Sequence, residues 1–260
     1  MAESRIMTWN VQDLLEIGRE SGPWSAAQLS AKIASLGAVV DGARPRVLTV
    51  QEVGIADVMD QFRTALTWKL PHLALGRPDA RGISTGCDPT RVIRDPIDAT
   101  AFPPGLLPVQ TPDERARFGA DASKRRSSTT VRQWMNAAID DRGDAEPFVL
   151  LGGMNDEVDA GTTQILDGPT GSEIGTRGFD TWLFEPARLV SRRHRGRGEL
   201  IDHVFASRFP RSPPRRSRRC RRMQADAGPL PSIDDDPTDA DGHLGSDHAA
   251  VLATSDYLSR

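Results

Sequence analysis

Short apolar runs that end on amides and carboxylates constrain this chain more than any other feature. They occur at Thr8-Trp9-Asn10-Val11, Val50-Gln51-Glu52-Val53, Gly152-Gly153-Met154-Asn155-Asp156 and Gly245-Ser246-Asp247-His248. Apolar runs this brief, bounded by polar residues, read as buried strands rather than helices. The ends of strands are where an α/β protein gathers its chemistry. What would gather here is Asn10, Glu52, Asn155, and the adjacent Asp247 and His248. Such a set suits one hard metal ion with oxygen ligands, and one phosphate. A fifth run, Glu199 to Phe205, contributes a further carboxylate, Asp202, on another strand.

Helical patterns separate the runs. Leu29, Ile33, Leu36 and Val40 repeat at helical spacing and predict a helix over 24–40. Val58, Met59, Phe62 and Leu66 predict another over 55–66. Thr111-Pro112-Asp113-Glu114 is a capping box that opens a helix reaching about Asp140. A short helix is expected at 162–166. Strands are expected at 5–9, 47–50, 148–151, 200–206 and 249–253, with a weak one at 72–75. Residues 87–110 hold Pro89, Pro96, Pro103, Pro104 and Pro108. Proline cannot donate to a ladder, so this stretch reads as a loop with at most an edge strand at 91–93. Strands alternating with helices give an α/β or α+β domain. With 260 residues, 38% of them hydrophobic, one domain over 1–260 can enclose a sizeable core.

The net charge of −3 hides a strong asymmetry. Residues 188–222 carry 13 Arg against Glu199 and Asp202, whereas 226–247 carry seven Asp and no Lys or Arg. The Arg208–Arg222 cluster is basic enough for a nucleic-acid patch. Phe209 is its only aromatic, so base stacking is not indicated there, and a solvated or disordered basic loop is the favoured reading. Residues 208–245 are accordingly expected to be irregular, Arg-rich and then Asp-rich. Cys87 and Cys220 make no disulfide framework. No apolar run approaches the length of a membrane span. The expectation is a soluble, cytoplasmic monomer without membrane contact.

Taken in order, the five strings resemble the endonuclease/exonuclease/phosphatase superfamily, the deoxyribonuclease-I-like fold, from about residue 5 to residue 254. The resemblance implies two packed β-sheets flanked by helices, a four-layer sandwich. It implies Glu52, Asp247 and Asn10 around a divalent ion, Mg2+ with Mn2+ as an alternative. It implies His248 as general base or phosphate contact, Asp202 as its orienting partner, and Asn155 as donor to a phosphate oxygen or the attacking water. Arg81-Gly82-Ile83 matches an element that is mostly structural in the family; Arg81 is carried as a candidate substrate contact. His203 follows Asp202 directly and faces the opposite side of a strand, a structural position.

Two departures from the family pattern stand out. The carboxylate expected two residues before Asn155 is replaced by Gly153, which would leave its space empty. No histidine lies between residues 73 and 193, so a His-bearing core strand is expected to be missing. The expected function is a metal-dependent phosphodiester hydrolase, most simply a nuclease, with impaired activity. The alternative is a degenerate, non-enzymatic relative that binds metal or phosphate.

Overall fold

Alternation along the first strand sets up both the core and the site. In β1 (Ser4–Leu14), Met7, Trp9 and Val11 join the main apolar core. Thr8 and Asn10 point to the opposite face, as the period of two requires. The same holds in β2 (Val47–Val53), where Leu48 and Val50 enter that core. Gln51 lies on the other face, its amide donating to Thr8 Oγ1 at 3.2 Å. One side of the sheet is therefore apolar and covered by helices, and the other is polar near the strand ends.

This architecture belongs to a computed structural model. It describes residues 4–76, 78, 83–89, 128–133, 135–136, 149–157, 159–167, 179–181, 190–194, 197–207, 222–225 and 245–255. Between β1 and β2 runs α1 (Ala26–Ala43), and after β2 comes α2 (Ala56–Ala65). Helix α1 begins at Ala26 because Ser25 is its N-cap, accepting from Gln28 N at 3.2 Å. It ends where Arg44, at φ 50°, donates its N–H back to Val40 O. Leu29, Ile33, Leu36 and Val40 of α1, with Val58, Met59 and Phe62 of α2, cover the apolar face of the sheet.

The remaining elements are β3 (Ala74–Leu75), β4 (Ser84–Pro89), β5 (Val149–Gly153), α3 (Gly161–Asp167), β6 (Phe179–Thr181), β7 (Arg192–His194), β8 (Arg197–Glu199), β9 (Asp202–Ser207), β10 (Arg222–Ala225) and β11 (Val251–Ser255). The first sheet has the order β10-β11-β1-β2-β4-β3. Among the described residues of this sheet, only β1–β2 is a parallel pair, and α1 makes its crossover; the other pairs are antiparallel. The second sheet, among the described residues, has the order β5-β9-β6. Val204 of β9 packs on Val251 and Ala253 of β11 between the sheets, with Val149 and Leu151 against them. Two packed sheets flanked by helices are therefore present, as expected. Among the described residues, no helix is long and apolar enough to cross a membrane.

Two expectations change. Residues 87–89 are the end of β4, which pairs with β2 as far as Pro89 opposite Val47. The proline is tolerated because it closes the strand. Residues 222–225, inside the stretch expected to be irregular, form β10 beside β11. The helix expected from 111 to about 140 is described only at 128–133 and 135–136, where it is helical and buries Met135. Arg81, residues 90–110, the Arg-rich 208–221 and the Asp-rich 234–241 lie outside the described residues.

Candidate active site

A left-handed residue aims the first carboxylate. Glu52 has φ 61° and sits at a break in register, where Gln51 pairs with Thr85 but Val53 pairs with Ser84. The extra residue is a β-bulge, which re-aims a side chain out of the regular pleat. A non-glycine residue held in this region costs on the order of 1–2 kcal/mol, so surrounding contacts must hold it. One is visible: Asn10 Nδ2 donates to Glu52 Oε1 at 2.8 Å. Asn10 Oδ1 in turn accepts the Gln12 N–H at 2.9 Å. Sequence reasoning gave Asn10 to the metal through its carbonyl oxygen. In the structure that oxygen accepts the Gln12 N–H and keeps a second lone pair, while the amide nitrogen donates to Glu52 and orients the carboxylate.

The second sheet and the 245–248 loop supply the imidazole. His248 and Asp202 are both buried, and His248 Nδ1 lies 2.7 Å from Asp202 Oδ2. Nδ1 therefore carries the proton and donates, which leaves the Nε2 lone pair as the basic site. Nε2 is 3.9 Å from Asp247 Oδ1, beyond hydrogen-bond range. Burial pushes the His248 pKa down, but the hydrogen bond and charge of Asp202, with help from Asp247, outweigh it. The net shift is upward from 6.5, with Arg192 opposing.

The backbone around the pair is tied down. Ser246 Oγ donates to Asn10 O and accepts the His248 N–H. Trp9 Nε1 donates to His248 O at 2.8 Å. Asp202 is fixed from below by the buried Ser191, whose Oγ accepts the N–H groups of both Ile201 and Asp202. His203 points away, its Nε2 donating to Asp156 O at 2.7 Å, and burial lowers its pKa. It is a neutral structural histidine that holds the loop bearing Asn155. Asn155 itself is exposed at the end of β5, with φ 53°, a conformation asparagine tolerates.

Two cations escaped sequence reasoning. Arg192 Nε lies 3.3 Å from Asp247 Oδ2, and Arg192 bridges to His248 through the backbone. Asp247, expected as a metal ligand, thus already faces a guanidinium on one oxygen. In the sequence Arg192 is one of many arginines, and nothing marks it out. Lys32 is buried on α1, and its Nζ donates to Gly245 O at 2.9 Å. Burial lowers its pKa, while Asp13, Asp247 and Glu52 counteract. A lysine on the apolar stripe, three residues after Leu29 and four before Leu36, was the signal available for it. We expect Lys32→Met to leave the Gly245 carbonyl unsatisfied and to destabilise the protein by about 1–3 kcal/mol. Thermal unfolding checks this.

Gly153 does not leave an empty space. It lies directly across the β5–β9 ladder from Asp202. A Cβ at 153 would come within 2.9 Å of Asp202 Oδ1, with Gln51 Oε1 at 3.7 Å. Asp202 cannot swing away without giving up His248. Both of those oxygens are buried without a hydrogen-bond partner. A carboxylate added here would also oppose a like charge, an unfavourable cross-strand pair. Gly153→Asp is therefore expected to destabilise by about 1–3 kcal/mol and to leave turnover no higher. Melting Gly153→Ala alongside separates the steric part from the charge.

The donors are all oxygens, the chemistry magnesium or manganese prefers. Among the described residues no three His, Cys, Asp or Glu side chains form a closed metal cage. Magnesium keeps much of its hydration and binds through one or two carboxylates plus substrate phosphate. The residues present fit such an ion at Glu52.

A model of the Endonuclease/Exonuclease/phosphatase family matches residues 7–248. No curated protein matches this chain. Among solved structures, humanized D. rerio TDP2 carrying 14 mutations superposes with a TM-score of 0.59 at 12% identity, over 98% of this chain and 99% of that one. An endonuclease/exonuclease/phosphatase family protein from Bacteroides thetaiotaomicron gives 0.54 at 12% identity, over 98% and 95%. D. rerio TDP2 complexed with single strand DNA product gives 0.51 at 14% identity, over 98% and 100%. At these identities the likeness is one of fold.

Proposed function

The chain belongs to the endonuclease/exonuclease/phosphatase family, and from that premise we propose that it is a metal-dependent phosphodiester hydrolase acting on nucleic acid. The observation that carries this reading is the buried 2.7 Å contact between His248 Nδ1 and Asp202 Oδ2, with Nε2 left basic. In this reading His248 Nε2 takes the proton of the attacking water. Asp202 holds the ring in the required tautomer and stabilises the imidazolium that forms. Asn155 donates to a non-bridging phosphate oxygen. Glu52, held by Asn10, would hold a hydrated magnesium ion. When bound, that ion neutralises charge on the phosphate. Asp247 and Arg192 flank His248 and set the field around it. Arg81 is retained as a substrate contact. The nucleic-acid substrate is supported by the solved relative whose complex contains a single-strand DNA product. We take the protein to act as a cytoplasmic monomer.

The test is hydrolysis of bis(p-nitrophenyl) phosphate and of a single-stranded oligonucleotide, with magnesium, with manganese and with a chelator. Turnover that needs the metal and disappears in Glu52→Gln supports the proposal. A folded protein without turnover under all these conditions would favour the second reading, a binding protein that has lost catalysis. Gly153, standing where the family has a carboxylate, is the observation behind that second reading.

A further inference from the structure

Arg192 opens β7, and backbone hydrogen bonds fix its place beside both members of the acid–base pair. It bridges to His248 across the chain. The adjoining Ser191 accepts the Ala249 N–H on its carbonyl, and the N–H groups of Ile201 and Asp202 on Oγ. Arg192 Nε lies 3.3 Å from Asp247 Oδ2, and the other oxygen of that carboxylate is 3.9 Å from His248 Nε2. One carboxylate therefore spans the gap between the guanidinium and the basic nitrogen. Yet Nε is buried and makes no hydrogen bond, so its contact with Asp247 is one of charge without alignment. A guanidinium is a planar fork of N–H donors. Among the described residues, none of the Arg192 donors is spent in a hydrogen bond. The side chain is 31% exposed, so a ligand can reach it beyond the buried Nε.

We propose that Arg192 is a phosphate-binding residue of this site, its guanidinium holding the non-bridging oxygens of a phosphodiester beside His248 Nε2. This deepens the hydrolase reading and rests on it for the identity of the bound group. An unspent fork of donors is matched by an anion with several acceptor oxygens, which phosphate presents in bidentate geometry. Charge calls for such a cation. Glu52, Asp202 and Asp247 would otherwise repel an incoming phosphodiester. Among the described residues the neighbouring cations are committed elsewhere. Lys32 is buried and bonded to Gly245 O, and Arg197 on β8 pairs with Glu157 at 3.0 Å.

The experiment measures fluorescence anisotropy of a labelled oligothymidylate on the full chain, in chelator so that no turnover is needed, over a range of salt. Arg192→Gln is expected to weaken binding about tenfold. The slope of log affinity against log salt should also shrink by about 0.7, the share of one phosphate on a single strand. Arg192→Lys keeps the slope, because an ammonium still pairs with the phosphate, and recovers only part of the affinity, because it lacks the fork. A residue that merely neutralised Asp247 would lower the melting temperature and leave the slope alone, and that result would overturn the proposal. So would a parent that does not bind the probe at low salt. Phenylglyoxal labelling of the parent, read by mass spectrometry at Arg192, covers the case in which Arg192→Gln does not fold. The oligonucleotide is expected to protect Arg192, and equal labelling with and without it overturns the proposal. A reduced slope in a protein that hydrolyses nothing would leave the phosphate contact standing and remove the hydrolase reading. Metal-dependent turnover of bis(p-nitrophenyl) phosphate, with an unchanged slope in Arg192→Gln, would do the reverse.

Discussion

His248→Gln is expected to lower kcat for a phosphodiester by about 10²–10⁴-fold, with little change in KM. In the proposed mechanism the imidazole acts on the attacking water and does not anchor the substrate. Its Nδ1 is committed to Asp202 at 2.7 Å, so only Nε2 can accept a proton. Glutamine is the informative replacement because its amide can still donate to Asp202. Alanine would strand a fully buried carboxylate, and breaking a buried ion pair from one side costs about 3–5 kcal/mol. A loss seen with alanine would then mix folding with chemistry. Kinetics at saturating magnesium, with a thermal melt of the same preparation, check the prediction.

The second large effect is that of Asp202→Asn. Asparagine keeps the shape but removes the charge, and it can turn its amide nitrogen toward the ring and reverse the tautomer. A loss of about 10²–10⁴-fold in kcat is expected, comparable to losing the base itself. The pH dependence has a definite sign. The folded-state pKa of His248 is raised above 6.5, chiefly by Asp202 working against burial. A base must be neutral, so activity rises as pH passes upward through that raised value. Without the Asp202 charge the pKa falls, and the acid limb of the residual activity moves to lower pH. Stability follows the same linkage. A raised pKa contributes stability that is fully present below 6.5 and is lost as pH rises through the folded value. The destabilisation of Asp202→Asn is therefore expected to be largest on the acid side of 6.5 and to shrink above the raised pKa. Denaturant melts across that range, with an NMR titration of His248, measure it.

The sequence displayed the strand ends better than it displayed the atoms. Asn10, Glu52, Asp202 and His248 follow or precede apolar runs, and hydrophobic patterning placed those runs on strands. The pairing of Asp202 with His248 was implied by family resemblance alone, since 46 positions separate them. What escaped was anything decided by backbone detail. The bulge that turns Glu52 to φ 61° has no signature in Val50-Gln51-Glu52-Val53. Without it the direction of the Asn10 amide could not be foreseen. The register that sets Gly153 opposite Asp202 was equally hidden, so a crowded position read as an empty one. Pro89 argues against a strand in the sequence, whereas in the fold it closes one. Arg192 and Ser191 act through contacts across the fold, and neither stands in a motif. Lys32 was visible as a charged residue on an apolar stripe, a conflict between local pattern and burial that tends to mark functional ground.

The central claim is that His248 and Asp202 act as one acid–base unit in phosphodiester hydrolysis. The most direct test is kcat of the parent, His248→Gln, Asp202→Asn and the double variant, each folded and at saturating magnesium. Residues that act as a unit are non-additive. The double variant should then lose no more activity than His248→Gln alone. Losses that multiply, or a folded parent with no metal-dependent turnover to lose, would contradict the account.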